Sequence, residues 1–171
     1  MHRQFVGRIA FMAVLMMSVS DLVAQLPAGS AAPEIELRTL VDARFQLSKL
    51  KGHPVVMTFW GTWCPPCREE FPELAVAYKK YHPAGLEIVA VNQRDQEVGT
   101  ADVQKFVKEF AVPFTVVLDA RGRTRRAYRL MGLPTTVFVN TAGVIVRVIS
   151  GPVSREQLAQ GIASIGVPVA R

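Results

Sequence analysis

The chain has 171 residues, half of them hydrophobic, with 20 lysines and arginines against 14 aspartates and glutamates and a formal net charge of +6. That length buries one substantial core and argues against a second domain. The positive charge does not read as a nucleic-acid footprint, because its main cluster, Arg121, Arg123, Arg125, Arg126 and Arg129, is interleaved with no aromatic residue except Tyr128.

Residues 1–8 are polar and carry Arg3 and Arg8, residues 9–19 are apolar apart from Ser18, and Asp21 interrupts the run. An apolar core that short matches a secretory signal better than a membrane span. Residues 1–26 therefore read as a signal peptide or, with imperfect cleavage sites at Ser18-Val19-Ser20 and Leu22-Val23-Ala24, as an N-terminal anchor that would tether the protein through residues 9–26. No cysteine follows the apolar run, which excludes a lipid-anchored form. Either reading places the domain in an exported, disulfide-permissive compartment, the periplasm or the outer face of the membrane. Losing Arg3, Arg8 and Asp21 would leave the mature domain at +5.

Residues 27–33 are small and polar and read as a linker, with the folded domain over 34–171. Residues 34–37 and 44–47 alternate around Val41-Asp42-Ala43, the pattern of a short hairpin. Residues 55–60 form a continuously apolar buried strand, and 68–81 a helix that ends near His82-Pro83 and Gly85. A strand at 86–92, a helix at 101–110, a strand at 114–118 and a short helix at 123–130 follow. A hairpin of 135–139 and 144–149 turned at Thr141-Ala142-Gly143, then a helix at 155–165, close the chain. The alternation predicts an α/β fold whose mixed sheet is parallel at its centre with an antiparallel edge. The arginine cluster falls on the 123–130 helix and its approach, as a solvated face or as a docking patch for an acidic partner or an anionic membrane surface.

The only two cysteines stand in Trp63-Cys64-Pro65-Pro66-Cys67, between the end of the first buried strand and the first turn of a helix. This context suits a redox-active C-x-x-C centre. A structural bridge closing so short a loop would constrain the unfolded chain little, and a zinc site would want a second C-x-x-C or a histidine pair that is absent. No cofactor or metal is implied. Pro65 disfavours helical geometry at Cys64 and makes it the N-cap, where the helix dipole stabilises a thiolate. Cys64 is then the attacking sulfur and Cys67, one turn inside, the resolving one. Arg68 adds a nearby positive charge or is an ordinary first-turn residue, and Trp63 screens the site edge or simply packs. Neither Pro65 nor Pro66 has an N–H, so two donors that could stabilise the Cys64 thiolate are missing, which lowers the reduction potential and favours a reductant. Glu70 projects from the helix on the same side as Cys67, one turn on, and Pro72 should kink the helix just beyond. Glu69 and Glu70 could equally be two solvated acids.

Residues 59–72, Val89-Ala90-Val91-Asn92 and Gly132-Leu133-Pro134-Thr135-Thr136, in that order, resemble the thioredoxin-like thiol-disulfide reductases of the ResA/TlpA type over about residues 32–166. The resemblance implies a thioredoxin-like fold with an N-terminal β-hairpin and an insertion around residues 93–113. It implies an exported or membrane-tethered reductase of client protein disulfides. Several such proteins serve cytochrome c maturation by reducing the haem-binding cysteines of apocytochromes, and a membrane thiol-disulfide carrier supplies their electrons. It further implies a cis Pro134 lying against the cysteines, with the N–H and C=O of Leu133 offered to an extended client segment. Glu70 matches the carboxylate of Cys-x-x-Cys-x-x-Glu-Phe-Pro, expected to exchange a proton with sulfur. A copper-binding thiol chaperone of the same fold is the alternative, with Met131 as its only nearby third ligand. A peroxidase does not fit, because residues 59–64 lack the P-x-x-x-T-x-x-C pattern.

Overall fold

The computed structural model describes residues 26–168, so the leader expected over 1–26 lies outside the described residues except for Leu26. Among the described residues no helix is long and apolar enough to cross a membrane. The chain runs through β1 (Glu36–Thr39), β2 (Arg44–Gln46), β3 (Val55–Trp60), α1 (Pro65–Tyr81), β4 (Glu87–Asn92), α2 (Thr100–Glu109), β5 (Thr115–Leu118), α3 (Arg123–Ala127), β6 (Thr135–Val139), β7 (Ile145–Ser150) and α4 (Arg155–Ser164).

Every expected element forms, and where an end moves a local reason is visible. Helix α1 starts three residues earlier than expected, because Pro65 and Pro66 occupy its first two positions, where a missing N–H costs nothing and the fixed φ suits the helix. Strand β1 starts two residues later, because the Glu34 carboxylate turns aside to accept from the Ser48 N–H at 3.2 Å. Asp42 takes the left-handed conformation in the hairpin turn, φ 59°, which aspartate tolerates better than most residues. Helix α3 stops at Ala127, and Arg129 follows at φ 50°.

The seven strands form one sheet in the order β2-β1-β5-β4-β3-β6-β7. Strands β3, β4 and β5 are parallel, β6 and β7 run antiparallel beyond β3, and β1 docks antiparallel on β5 through Arg38↔Leu118 and Thr39↔Val117. The sheet is therefore antiparallel at both ends instead of one. The alternation of the N-terminal hairpin predicts two strands but carries no signal for the neighbour they join. The 93–113 insertion becomes the crossover through α2 into β5. The segment 27–33, read as a linker, lies against the domain: Gly29 N–H and Ala32 N–H donate to Ile145 O and Gly143 O at 2.8 and 2.9 Å, and Ser30 O accepts from Ile145 N–H at 2.8 Å.

Strand β3 is buried on both faces, so it is apolar throughout except for Thr58. Val56 and Trp60 face a core built with Phe71 and Leu74 of α1, Phe106 of α2 and Leu158 and Ile162 of α4. Val55, Met57 and Phe59 face the opposite core, closed by Ile35, Leu47 and Tyr128. Gly161 allows α4 its close approach to the sheet, since a Cβ there would meet the Phe138 ring at 2.2 Å.

Candidate active site

Cys64 and Cys67 are joined as a disulfide at the carboxyl end of β3. Cys64 sits at the N-cap of α1 in extended conformation, φ −95° and ψ 104°, and its sulfur accepts from the Cys67 N–H at 3.3 Å. Of the first three helical positions only Cys67 can donate, since the other two are prolines. The two residues differ in access: Cys64 keeps 4 % of its surface and Cys67 none. Behind them lies an aromatic block in which Trp60, fully buried, meets Phe71 at 4.7 Å and Phe106 at 4.5 Å between ring centroids. Such a base fixes where the helix begins and holds the sulfurs in low-dielectric surroundings.

Glu70 and Glu69 part company in the fold. Glu69 is exposed, whereas Glu70 is buried among α1, β3 and the loop before α4. Its Oε1 accepts from the Thr58 hydroxyl at 2.7 Å and its Oε2 from the Val153 N–H at 3.3 Å. Burial pushes its pKa from 4.5 up to about 7, the two hydrogen bonds holding back a larger rise. Arg68 turns from the sulfurs: its guanidinium pairs with Glu109 at 2.7 Å and lies over Phe106 and Phe110, 5.2 and 4.9 Å from the ring centroids. Trp63 is half exposed, and its indole folds back over Gly61, where a Cβ would approach the ring to 2.8 Å.

The Leu133-Pro134 bond is cis and leads directly into β6 beside β3. Pro134 O accepts from Gly151 N–H at 2.8 Å, while among the described residues no hydrogen bond involves the N–H or C=O of Leu133. Met131, the third ligand that a copper site would need, is 66 % exposed on the same loop. Among the described residues no group of three or more histidines, cysteines, aspartates or glutamates is placed to hold a metal ion.

One residue of the site is not legible as such in the sequence. Glu97 reaches from the 93–113 insertion to accept from the Thr62 N–H at 2.7 Å, the Thr62 hydroxyl at 2.5 Å and the Asn92 amide at 2.8 Å. It therefore ties the residue two before Cys64 to the end of β4. An acidic residue in a polar loop gives no hint of this, although Asn92, a polar residue directly after the apolar run of residues 88–91, does mark a polar site there. Glu97→Ala leaves the buried Asn92 amide and the Thr62 N–H without this acceptor, so the variant should lose about 2 kcal/mol of stability. Chemical denaturation would measure this, and an unchanged midpoint would show that water replaces the carboxylate.

Residues 28–148 match the AhpC/TSA family. Thiol-disulfide oxidoreductase ResA of Bacillus subtilis is 41% identical over 130 residues, 76% of this chain and 71% of that protein. The chain belongs to this family. It is a thioredoxin-like thiol-disulfide oxidoreductase of the ResA type, with the Cys64–Cys67 pair as its redox centre. ResA of Geobacillus thermodenitrificans is 34% identical over 80% of the chain and 77% of that protein. Among solved structures, StoA of Bacillus subtilis superposes with a TM-score of 0.67 at 28% identity, covering 79% of this chain and 98% of that one. The thioredoxin domain of a thiol-disulfide oxidoreductase from Bacteroides vulgatus gives 0.72 at 26% identity, covering 81% and 96%.

Proposed function

We propose that this oxidoreductase works as an exported reductant of client protein disulfides, among them the paired haem-binding cysteines of apocytochromes c. The observation that carries the direction is the donor set at Cys64: with prolines at the first two helical positions, the Cys67 N–H is the one donor that the head of α1 turns on that sulfur. A poorly solvated thiolate destabilises the dithiol and lowers the reduction potential. Cys64 attacks the client disulfide, the client's second sulfur leaves, and Cys67 then displaces the client thiolate to restore the Cys64–Cys67 bond. The client is oxidant in this exchange and the dithiol is oxidised. An upstream membrane thiol-disulfide carrier returns the electrons. The free N–H and C=O of Leu133 support strand-like pairing with the client beside Cys64. The short apolar run of residues 9–19 supports export of residues 27–171, as a cleaved or a tethered domain.

Equilibration with glutathione tests the direction: the potential should fall nearer the roughly −270 mV of thioredoxin than the roughly −120 mV of DsbA. A value near the latter would make the protein an oxidant. Pro66→His restores a second backbone donor and adds a titratable cation, so the potential should rise by about 30 mV or more. A redox titration in which it is flat or falls would remove donor number as the cause.

A further inference from the structure

We propose that the concave basic pocket between β1, β2 and the loop into α3 is a docking site for an acidic segment of the client polypeptide; this rests on the reading of the protein as a reductant of protein disulfides. The pocket, of about 400 Å³, is walled by Arg38, Arg44, Arg121 and Arg123 over a floor that includes Leu37 and Leu118. All four arginines are exposed. Arg38 and Arg44 stand directly opposite each other on adjacent strands, a placement that repels unless a negative charge lies nearby. Exposed ion pairs answer them, Asp42 to Arg38 and Glu36, itself in the pocket wall, to Arg44. The side chains of Arg121 and Arg123 form no ion pair or hydrogen bond among the described residues. Asp119, the buried acid of the pocket, is already engaged by the N–H groups of Arg121, Arg123 and Thr124 and by the Thr124 hydroxyl, at 2.5–3.3 Å. Two free guanidiniums thus line a cavity with an excess of positive charge, the geometry that takes carboxylates bidentately.

Its position selects the occupant. The register rows of the sheet run Arg44↔Arg38, Arg38↔Leu118, Leu118↔Asn92 and Asn92↔Trp60, a single line across five strands. The pocket therefore opens at the same end of the sheet as the turn that carries Cys64. Three strand spacings from Trp60 to Arg38 amount to roughly 14 Å, about four residues of extended polypeptide. A client held by its cysteine at Cys64 can lay acidic side chains in the pocket without bending back.

The test uses the pre-reduced full-length protein and two disulfide-bearing peptides, identical except for three glutamates or three glutamines placed four to six residues from the cysteine, on either side of it. The glutamate peptide should be reduced about five- to tenfold faster at low salt, the advantage vanishing near 0.5 M salt and in Arg121→Gln/Arg123→Gln, with the glutamine peptide unaffected by the substitutions. Equal rates for the two peptides would overturn the docking site and leave the reductase standing. An advantage that survives in the double variant would place recognition elsewhere and overturn it too. Reduction of neither peptide would overturn the reductase reading and the docking site with it. Arginine-dependent binding to phosphatidylglycerol vesicles without any peptide preference would assign the pocket to a membrane surface instead.

Discussion

Cys67→Ser should accumulate as a mixed disulfide with its client through Cys64, while Cys64→Ser should trap nothing and both variants should lose turnover to background. Two features separate the sulfurs. Cys64 retains the only solvent access of the pair, and it holds the N-cap, where the dipole and the Cys67 N–H favour its thiolate. Cys67 is sealed beneath it, able to reach Cys64 and little else. Removing Cys67 leaves the first exchange intact and deletes the second, so the covalent complex persists. Removing Cys64 deletes the first. Non-reducing electrophoresis after incubation with a disulfide-bearing client reads the result directly, and equal trapping by both variants would reverse or abolish the assignment.

Glu70→Gln should change both the pH dependence of stability and the titration of the cysteines. The Glu70 pKa is raised from 4.5 to about 7 in the folded protein, so the folded state binds more protons than the unfolded state between those values. Stability from this residue is therefore complete below about pH 4.5, declines as pH rises, and levels off above about pH 7, a loss of roughly 3 kcal/mol. Glutamine fits the same place, with its oxygen accepting from Val153 N–H and its amide donating to a Thr58 hydroxyl rotated to accept. The variant should lack that decline and be the more stable protein at pH 8. We propose in addition that the carboxylate exchanges a proton with the cysteines one turn away and that its charge opposes their ionisation. Glu70→Gln should then lower the cysteine pKa values in the reduced protein and shift the pH profile of exchange, whereas the exposed Glu69→Gln should do neither. Denaturation across pH 4–9 and thiol titration separate the two roles. An unaltered stability profile would mean that Glu70 binds protons alike in the folded and unfolded states, and unaltered thiols would confine it to structure.

What the sequence determined by itself is local. A proline after Cys64 and another after that make the cysteine an N-cap and begin α1, a run of apolar residues makes β3 a strand buried on both faces, and an alternating stretch around Asp42 makes a hairpin. Such features depend on backbone preferences and hydrophobic periods within a few residues, which survive in any context. Glu70 shows the limit. Spacing puts it on the side of Cys67, but only the packing of α1 on β3 and on the loop before α4, 83 residues away, buries it, deprives it of water and supplies Thr58 and Val153 as partners. Thr58, the one polar residue in a doubly buried strand, was the visible sign that some partner was needed; which of two adjacent glutamates filled that need was decided by the face of the helix turned inward. Glu97 at Thr62, the hairpin's place beside β5 and the arginines brought to one pocket from β1, β2 and the approach to α3 likewise join residues 35 to 85 positions apart. No period or propensity encodes a pairing at that distance, because it is settled by which hydrophobic faces close on one another, and the charges are carried to their places by that closure.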